Sequence, residues 1–368
     1  MINVSSIREL TASGQSIWYD YVEREFVNDG ELTAIVNQGV SGLTSNPTIF
    51  EQAICNSKAY DRDIQSLLSE NLSAQQVYDR LSTDDIRNVA KILLSVYERT
   101  NGKDGYVSIE VSPHVSNDAE VTVAEGIRLS KVISSPNLMI KVPATPEGYE
   151  AITKLLAHGI SVNVTLIFGM SQYRQVVEAY LNGVEQAIDK GIDVTKIASV
   201  ASFFVSRVDT LVDNWLDENN AGSELKGKIG IANSMMAYRY FQEQFNSERF
   251  QSLAQKGVQV QRLLWASTST KNPNYDSLLY VKELALPETV NTVAPKTFKE
   301  MLHTEFNLTE PQDIAVYEGL IRALEQVGLS IDFVAEELLR QGLVGFTQSY
   351  DRLLKEVDNK LALLSGEK

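Results

Sequence analysis

The run Asn137-Leu138-Met139-Ile140-Lys141-Val142-Pro143-Ala144-Thr145 decides how the rest of the chain is read. It follows Pro136, is apolar apart from a lysine at its middle, and stops at a proline. A short apolar run between such breakers predicts a buried strand. A buried ammonium must be paired, opened to a cavity or neutralised. A neutral lysine amine is a nucleophile toward carbonyl carbon. The alternative is a strand-end lysine that snorkels to water, and the run by itself leaves both readings open.

Outward from this run, strand and helix patterns alternate in both directions. On its N-terminal side, Ser16–Asp20 and Gly105–Pro113 read as strands, and Val40–Thr48 as a strand passing into a loop. Helical spacing covers Glu31–Gln38 and Tyr60–Arg99, with Ser82-Thr83-Asp84-Asp85 as a cap and acidic first turn. Pro47 and Thr48 suit the first turn of a helix, and Asp118–Ile133 is helical. On the C-terminal side, Ile160–Phe168, Lys196–Val205, Gln261–Thr268 and Glu288–Pro295 read as strands. Ser171 is placed to cap a helix over Tyr173–Lys190, Tyr275–Lys282 is helical, and Thr297 starts another helix. Helix-prone segments over about 209–256 and 310–368 add to this alternation, with Gly328 and Gly342 as helix stops in the second. About eight strand–helix units predict a (β/α)8 barrel, with an open doubly wound sheet as the alternative. No G-x-G-x-x-G follows a strand and no P-loop motif occurs, so dinucleotide and P-loop chemistry are unsupported. Residues 1–368 read as a single α/β-barrel domain with extra helical segments.

Composition narrows the function. The 368 residues are 43% hydrophobic and 22% charged, as expected of a globular protein. The net charge of −15 argues against nucleic-acid or anionic-membrane partners, which need a basic face. One cysteine, Cys55, excludes an intrachain disulfide and a thiolate metal cluster. Three histidines make a multi-histidine metal site improbable, and no metal is expected. Met1–Ala12 lacks the blocks of a signal peptide, and the expected location is cytoplasmic.

In a barrel the chemistry sits where strands finish. Polar residues near those positions include Asp20, Thr44, Asn46, Glu110, Ser112, Lys141, Asn163, Thr165, Ser202, Ser267 and Asn291. A lysine, two carboxylates and several hydroxyl and amide groups are the set that covalent carbonyl catalysis needs.

Six motifs, in order, carry a family resemblance. They are Gly42-Leu43-Thr44-Ser45-Asn46-Pro47-Thr48, Ser108-Ile109-Glu110-Val111-Ser112, Ile140-Lys141-Val142-Pro143-Ala144-Thr145, Asn163-Val164-Thr165-Leu166-Ile167-Phe168, Ala201-Ser202-Phe203-Phe204-Val205-Ser206-Arg207-Val208-Asp209 and Trp265-Ala266-Ser267-Thr268. The sequence resembles the transaldolases, in particular their longer bacterial subgroup. The resemblance implies an α/β barrel and a cofactor-free reaction of the pentose phosphate pathway. A dihydroxyacetone unit would pass from sedoheptulose 7-phosphate to glyceraldehyde 3-phosphate, giving erythrose 4-phosphate and fructose 6-phosphate.

The resemblance also implies roles. Lys141 would form the Schiff base. Glu110 would be the general acid/base, through a water held by Thr165, and Asp20 would take the proton of the C4 hydroxyl. Asn46, Asn163 and Ser202 would orient the donor. Arg207 and Ser267 would bind phosphate, although Arg207 paired with Asp209 is the structural alternative. Shorter members carry an arginine two residues after this serine, where Ser269 stands here. Lys271 is then the expected second cation, with Arg262 as the upstream alternative. Cys55, Trp18, Phe168 and Phe203 read as packing residues, with a wall of the site as the alternative role for one of the aromatics, and His114 as a loop residue. A monomer or homodimer is expected. A Schiff-base aldolase releasing free dihydroxyacetone and a silent sugar-phosphate-binding barrel are the competing functions.

Overall fold

The computed structural model describes residues 5–305 and 307–366. Eight parallel strands close into a barrel in chain order. They are β1 Ser16–Asp20, β2 Val40–Thr44, β3 Val107–Glu110, β4 Leu138–Pro143, β5 Val162–Ile167, β6 Ser199–Phe204, β7 Arg262–Ala266 and β8 Val290–Val293. β8 pairs back onto β1, with Trp18 opposite Thr292. The closed-barrel expectation holds and the open sheet does not.

Strand residues alternate between the two faces of the sheet. Ile17, Ile140, Val162 and Val164 join the layer between sheet and helices. Trp18, Met139, Val200, Leu264 and Val290 form a second cluster that fills the bore. Gly42 is needed there, because a Cβ on it would sit 2.4 Å from the Trp18 indole. No helix among the described residues is long and apolar enough to cross a membrane.

Several helix boundaries differ from the sequence expectation. Helix Ala74–Arg99 is continuous, capped by a reciprocal Ser73–Gln76 box, so Ser82-Thr83-Asp84-Asp85 lies inside it. The hydroxyls of Ser82 and Thr83 return to the Asp79 carbonyl, and buried Asp85 accepts from Arg24 and Tyr60. The helix after β5 starts at Met170 with Gly169 as its N-cap, not Ser171. The Tyr275–Lys282 helix shrinks to Leu279–Glu283, since Asn272 and Asp276 accept backbone N–H groups two residues on and hold turns instead.

The segment after β6 forms helices Ser206–Asn219, Ile229–Phe245 and Glu248–Ala254. The last segment forms Ile314–Gln326 and a 35-residue C-terminal helix, Ile331–Ser365. Gly328 lies between these two helices, whereas Gly342 is inside the second. The reason is tertiary contact. A Cβ on Gly342 would come within 2.9 Å of the Leu166 side chain, so this glycine admits the end of β5 rather than ending a helix.

Candidate active site

Register explains which side chains meet at the carboxyl ends of the strands. Glu110 pairs with Lys141, and Lys141 with Asn163, across β3, β4 and β5. Asp20 pairs with Thr44 across β1 and β2. Lys141 is almost wholly buried, its side chain 6% exposed. Its Nζ donates to the Ser45 carbonyl at 3.2 Å and lies 3.4 Å from Glu110 Oε2. The snorkelling alternative is therefore wrong.

Burial pushes the Glu110 carboxyl up to about 7, against the pull of Lys141 and with a further push from Asp20. Near neutrality this carboxyl is about half protonated, so it is able both to give and to take a proton. Glu110 Oε2 and Thr165 Oγ1 are both buried and make no hydrogen bond. Burial also raises Asp20, while Lys141, the Thr44 hydrogen bond and Arg207 oppose it. Thr44 spends its only proton on Asp20 Oδ1 at 2.6 Å, so Thr292, 2.7 Å away, must donate to Thr44.

A cavity of about 370 Å³ opens above these groups, within the usual range for small-molecule sites. Asp20, Asn46, Lys141, Thr165 and Ser202 form its floor, and Arg207, Ser267, Ser269 and Lys271 one side. Asn46 caps the helix Pro47–Asn56 through Oδ1, accepted from Ile49 N at 3.0 Å, which leaves its amide N–H2 for the cavity. Two expected residues are not on the cavity wall. Glu110 lies behind Lys141, and Asn163 lies beneath Ser202. Asn163 donates to Ser108 Oγ at 2.9 Å and accepts from Ser202 Oγ at 2.7 Å, which orients the Ser202 hydroxyl.

Arg207 has no ion pair among the described residues; its guanidinium lies 5.4 Å from the Phe204 ring centre. Burial lowers its pKa and Asp20 opposes that shift. The alternative pair with Asp209 does not form, because Asp209 faces helix Ile229–Phe245 and accepts from Gly230 N and Tyr280 Oη. Ser267 has a left-handed backbone, φ 56°, and shares a 2.8 Å hydrogen bond with Ser206. Such strain in a non-glycine residue concentrates at functional sites. Leu166, next to Thr165, is the same case at φ 59°, where the β5–β6 register shifts. Gln172 clamps this bulge, donating to Leu166 O and accepting from Phe168 N.

Lys271 is exposed at the rim and carries no ion pair among the described residues. Arg262 is excluded as a phosphate ligand. It sits at the opposite end of the bore, donating to Ser16 and Thr289 with Asp104 at 3.6 Å. His114 is exposed, bonded to Asp351 at 2.9 Å and outside the cavity. Cys55 is half-buried, its thiol pushed up to about 11 by burial.

The aromatic walls are not the ones the sequence singled out. Trp18 plugs the bore, Phe168 packs on Phe204 and Phe203 packs on Trp265; Phe204 and Phe346 line the cavity. Thr292 also lines it and was missed, as its motif is only a strand with a proline after it. A groove of about 540 Å³ between residues 226–231 and 312–320 is roomier; of its two lysines, Lys226 is paired to Asp217, and the carboxylates Asp276 and Glu283 also line it.

Comparison with known proteins gives one answer. Residues 17–357 match the family model described as Transaldolase/Fructose-6-phosphate aldolase. A protein named Transaldolase from Saccharopolyspora erythraea is 43% identical over 364 residues, covering 98% of this chain and 99% of that one. Transaldolase 2 of a Nostoc species is 41% identical, covering 98% and 99%. A Mycobacterium leprae Transaldolase is 40% identical, covering 97% and 96%.

Proposed function

We propose the roles of these residues from one premise: the chain belongs to the transaldolase/fructose-6-phosphate aldolase family and is an enzyme of the transaldolase type. It transfers a dihydroxyacetone unit from sedoheptulose 7-phosphate to glyceraldehyde 3-phosphate, in the pentose phosphate pathway. The observation that carries the role assignment is the buried pair of Lys141, on the cavity floor, with Glu110 behind it, 3.4 Å away and raised to about 7.

Lys141 attacks the ketose C2 carbonyl. Glu110 protonates the oxygen, which leaves as water, and an iminium remains. A carboxyl poised near 7 serves both directions of this step. Thr165, with its unshared buried hydroxyl, holds the water that passes the proton. Asp20 takes the C4 hydroxyl proton, the C3–C4 bond breaks, and its electrons enter the iminium to give an enamine. The first aldehyde leaves, the acceptor enters, and the steps run in reverse. Ser202, held by Asn163, and the free amide of Asn46 orient the donor's hydroxyls. Arg207, Ser267 and Lys271 hold the phosphate; a guanidinium without a protein partner suits that task.

We read residues 1–368 as one domain, on the packing of the C-terminal helix against the helix Pro47–Asn56, where Arg352 pairs with Glu51.

Kinetics of Glu110→Gln test the assignment. The substitution lowers kcat by a factor on the order of 10² to 10⁴ while donor KM stays within a few-fold. A rise in KM with unchanged kcat contradicts the role given to Glu110.

A further inference from the structure

The C-terminal helix contributes one side chain to the site. Phe346 is 7% exposed and lines the same cavity as Lys141, Asp20 and Arg207. No strand motif announces it. Gly342 lies one turn earlier on the same helix face and seats Leu166, the strained residue beside Thr165. Just beyond Phe346, residues 349–352 fasten the helix to the segments that follow β2 and β3. Ser349 bonds Thr48 at 3.0 Å, and Arg352 holds Glu51 with two hydrogen bonds of 2.5 and 3.1 Å. Asp351 meets His114 beyond β3 at 2.9 Å. Thr48 and Ile49 themselves line the cavity, so the fastening points and the cavity wall are one piece.

The rest of this cavity is rich in hydroxyls and charges, which admit water. A large apolar group fixed at its wall excludes water from the volume it occupies. After the first aldehyde leaves, the intermediate on Lys141 has two fates. In transfer, its enamine carbon attacks the acceptor aldehyde. In release, the enamine takes a proton at C3 and the iminium adds water at C2. Breaking the C–N bond then frees dihydroxyacetone and the Lys141 amine, with water as the only co-reactant.

We propose that Phe346 sets the partition between these fates, keeping water from the intermediate so that the aldehyde acceptor captures it. This rests on the Schiff-base reading above. The C-terminal helix is then part of the specificity apparatus, selecting a carbon acceptor over water.

The test uses the full chain and the series Phe346→Leu, Phe346→Val and Phe346→Ala. Free dihydroxyacetone is measured from fructose 6-phosphate alone, and transfer is measured with erythrose 4-phosphate added. The ratio of release to transfer is independent of how much enzyme is folded. We expect it to rise as the side chain shrinks, staying within about twofold for Leu and reaching about tenfold or more for Ala. A flat ratio across the folded members of the series overturns the proposal. Borohydride trapping on the unsubstituted enzyme separates the two layers. A failure to trap strikes the Schiff-base reading, whereas normal trapping with a flat ratio strikes Phe346 alone.

Discussion

Arg262 and Arg207 stand at opposite ends of the same barrel and are treated in opposite ways. Arg262, at the amino ends of the strands, donates to Lys103 O at 3.2 Å, Ser16 Oγ at 2.6 Å and Thr289 O at 2.8 Å, with Asp104 close by. Asp104 in turn accepts from Trp18 Nε1 at 2.6 Å and from Ser16. At the carboxyl ends, Arg207 has no carboxylate within ion-pair range among the described residues, Thr165 Oγ1 has no partner, and Glu110 is held above its ordinary range. One end of the bore is closed by Arg262, Asp104, Ser16 and Trp18 bonded to one another and to the backbone, with Arg262 Nε, Gln15 Oε1 and Gln261 Oε1 left without partners among the described residues. The other keeps polar groups in reserve for a bound molecule. An arginine paired with a buried carboxylate marks the part that stabilises, and an arginine with no carboxylate in range beside a raised carboxyl marks the part that reacts.

The largest effect should come from the closed end. Arg262→Met leaves Asp104 buried without its cation and costs about 3–5 kcal/mol in urea unfolding. The kcat of the folded fraction should stay within about twofold. Loss of activity at unchanged stability would break the comparison.

At the open end, Glu110 itself should cost stability as pH rises. Its carboxyl is raised from 4.5 to about 7 in the folded chain, so the folded state binds more protons than the unfolded state between those values. Stability contributed below pH 4.5 is lost as pH climbs through 7, by up to about 3 kcal/mol. Glu110→Gln should flatten that part of the stability–pH curve. An equal slope in the variant would mean that some other group produces it.

Arg207→Ala sharpens the comparison with a smaller number. It should cost about 2 kcal/mol of phosphate binding, a roughly 30-fold higher KM for the phosphorylated donor. Thermal stability should move little, since no protein partner loses a bond. A large drop in melting temperature would mean that Arg207 is structural after all.

The sequence carried the barrel and most of the floor, because both follow from local patterns. Strand runs ending in polar residues are visible in a one-dimensional string, and parallel register then brings Glu110, Lys141 and Asn163 side by side. What failed depended on contacts between distant segments. Gly342 looks like a helix stop until Leu166 is seen against it. Asn163 bonds Ser108 and Ser202, partners on two other strands that its own motif does not reveal. Arg262 looks like a spare cation until its position at the base is known, and Phe346 has no motif at all. The Ser82–Asp85 cap failed for a local reason: a stronger start, the Ser73–Gln76 box, lies upstream.

The central claim is that the Lys141 amine becomes bonded to the ketose. Fructose 6-phosphate and borohydride, followed by peptide mass mapping, test it. A reduced three-carbon or six-carbon adduct is expected on the peptide bearing Lys141, absent from Lys141→Met. An adduct confined to another lysine, or none with active enzyme, would contradict it.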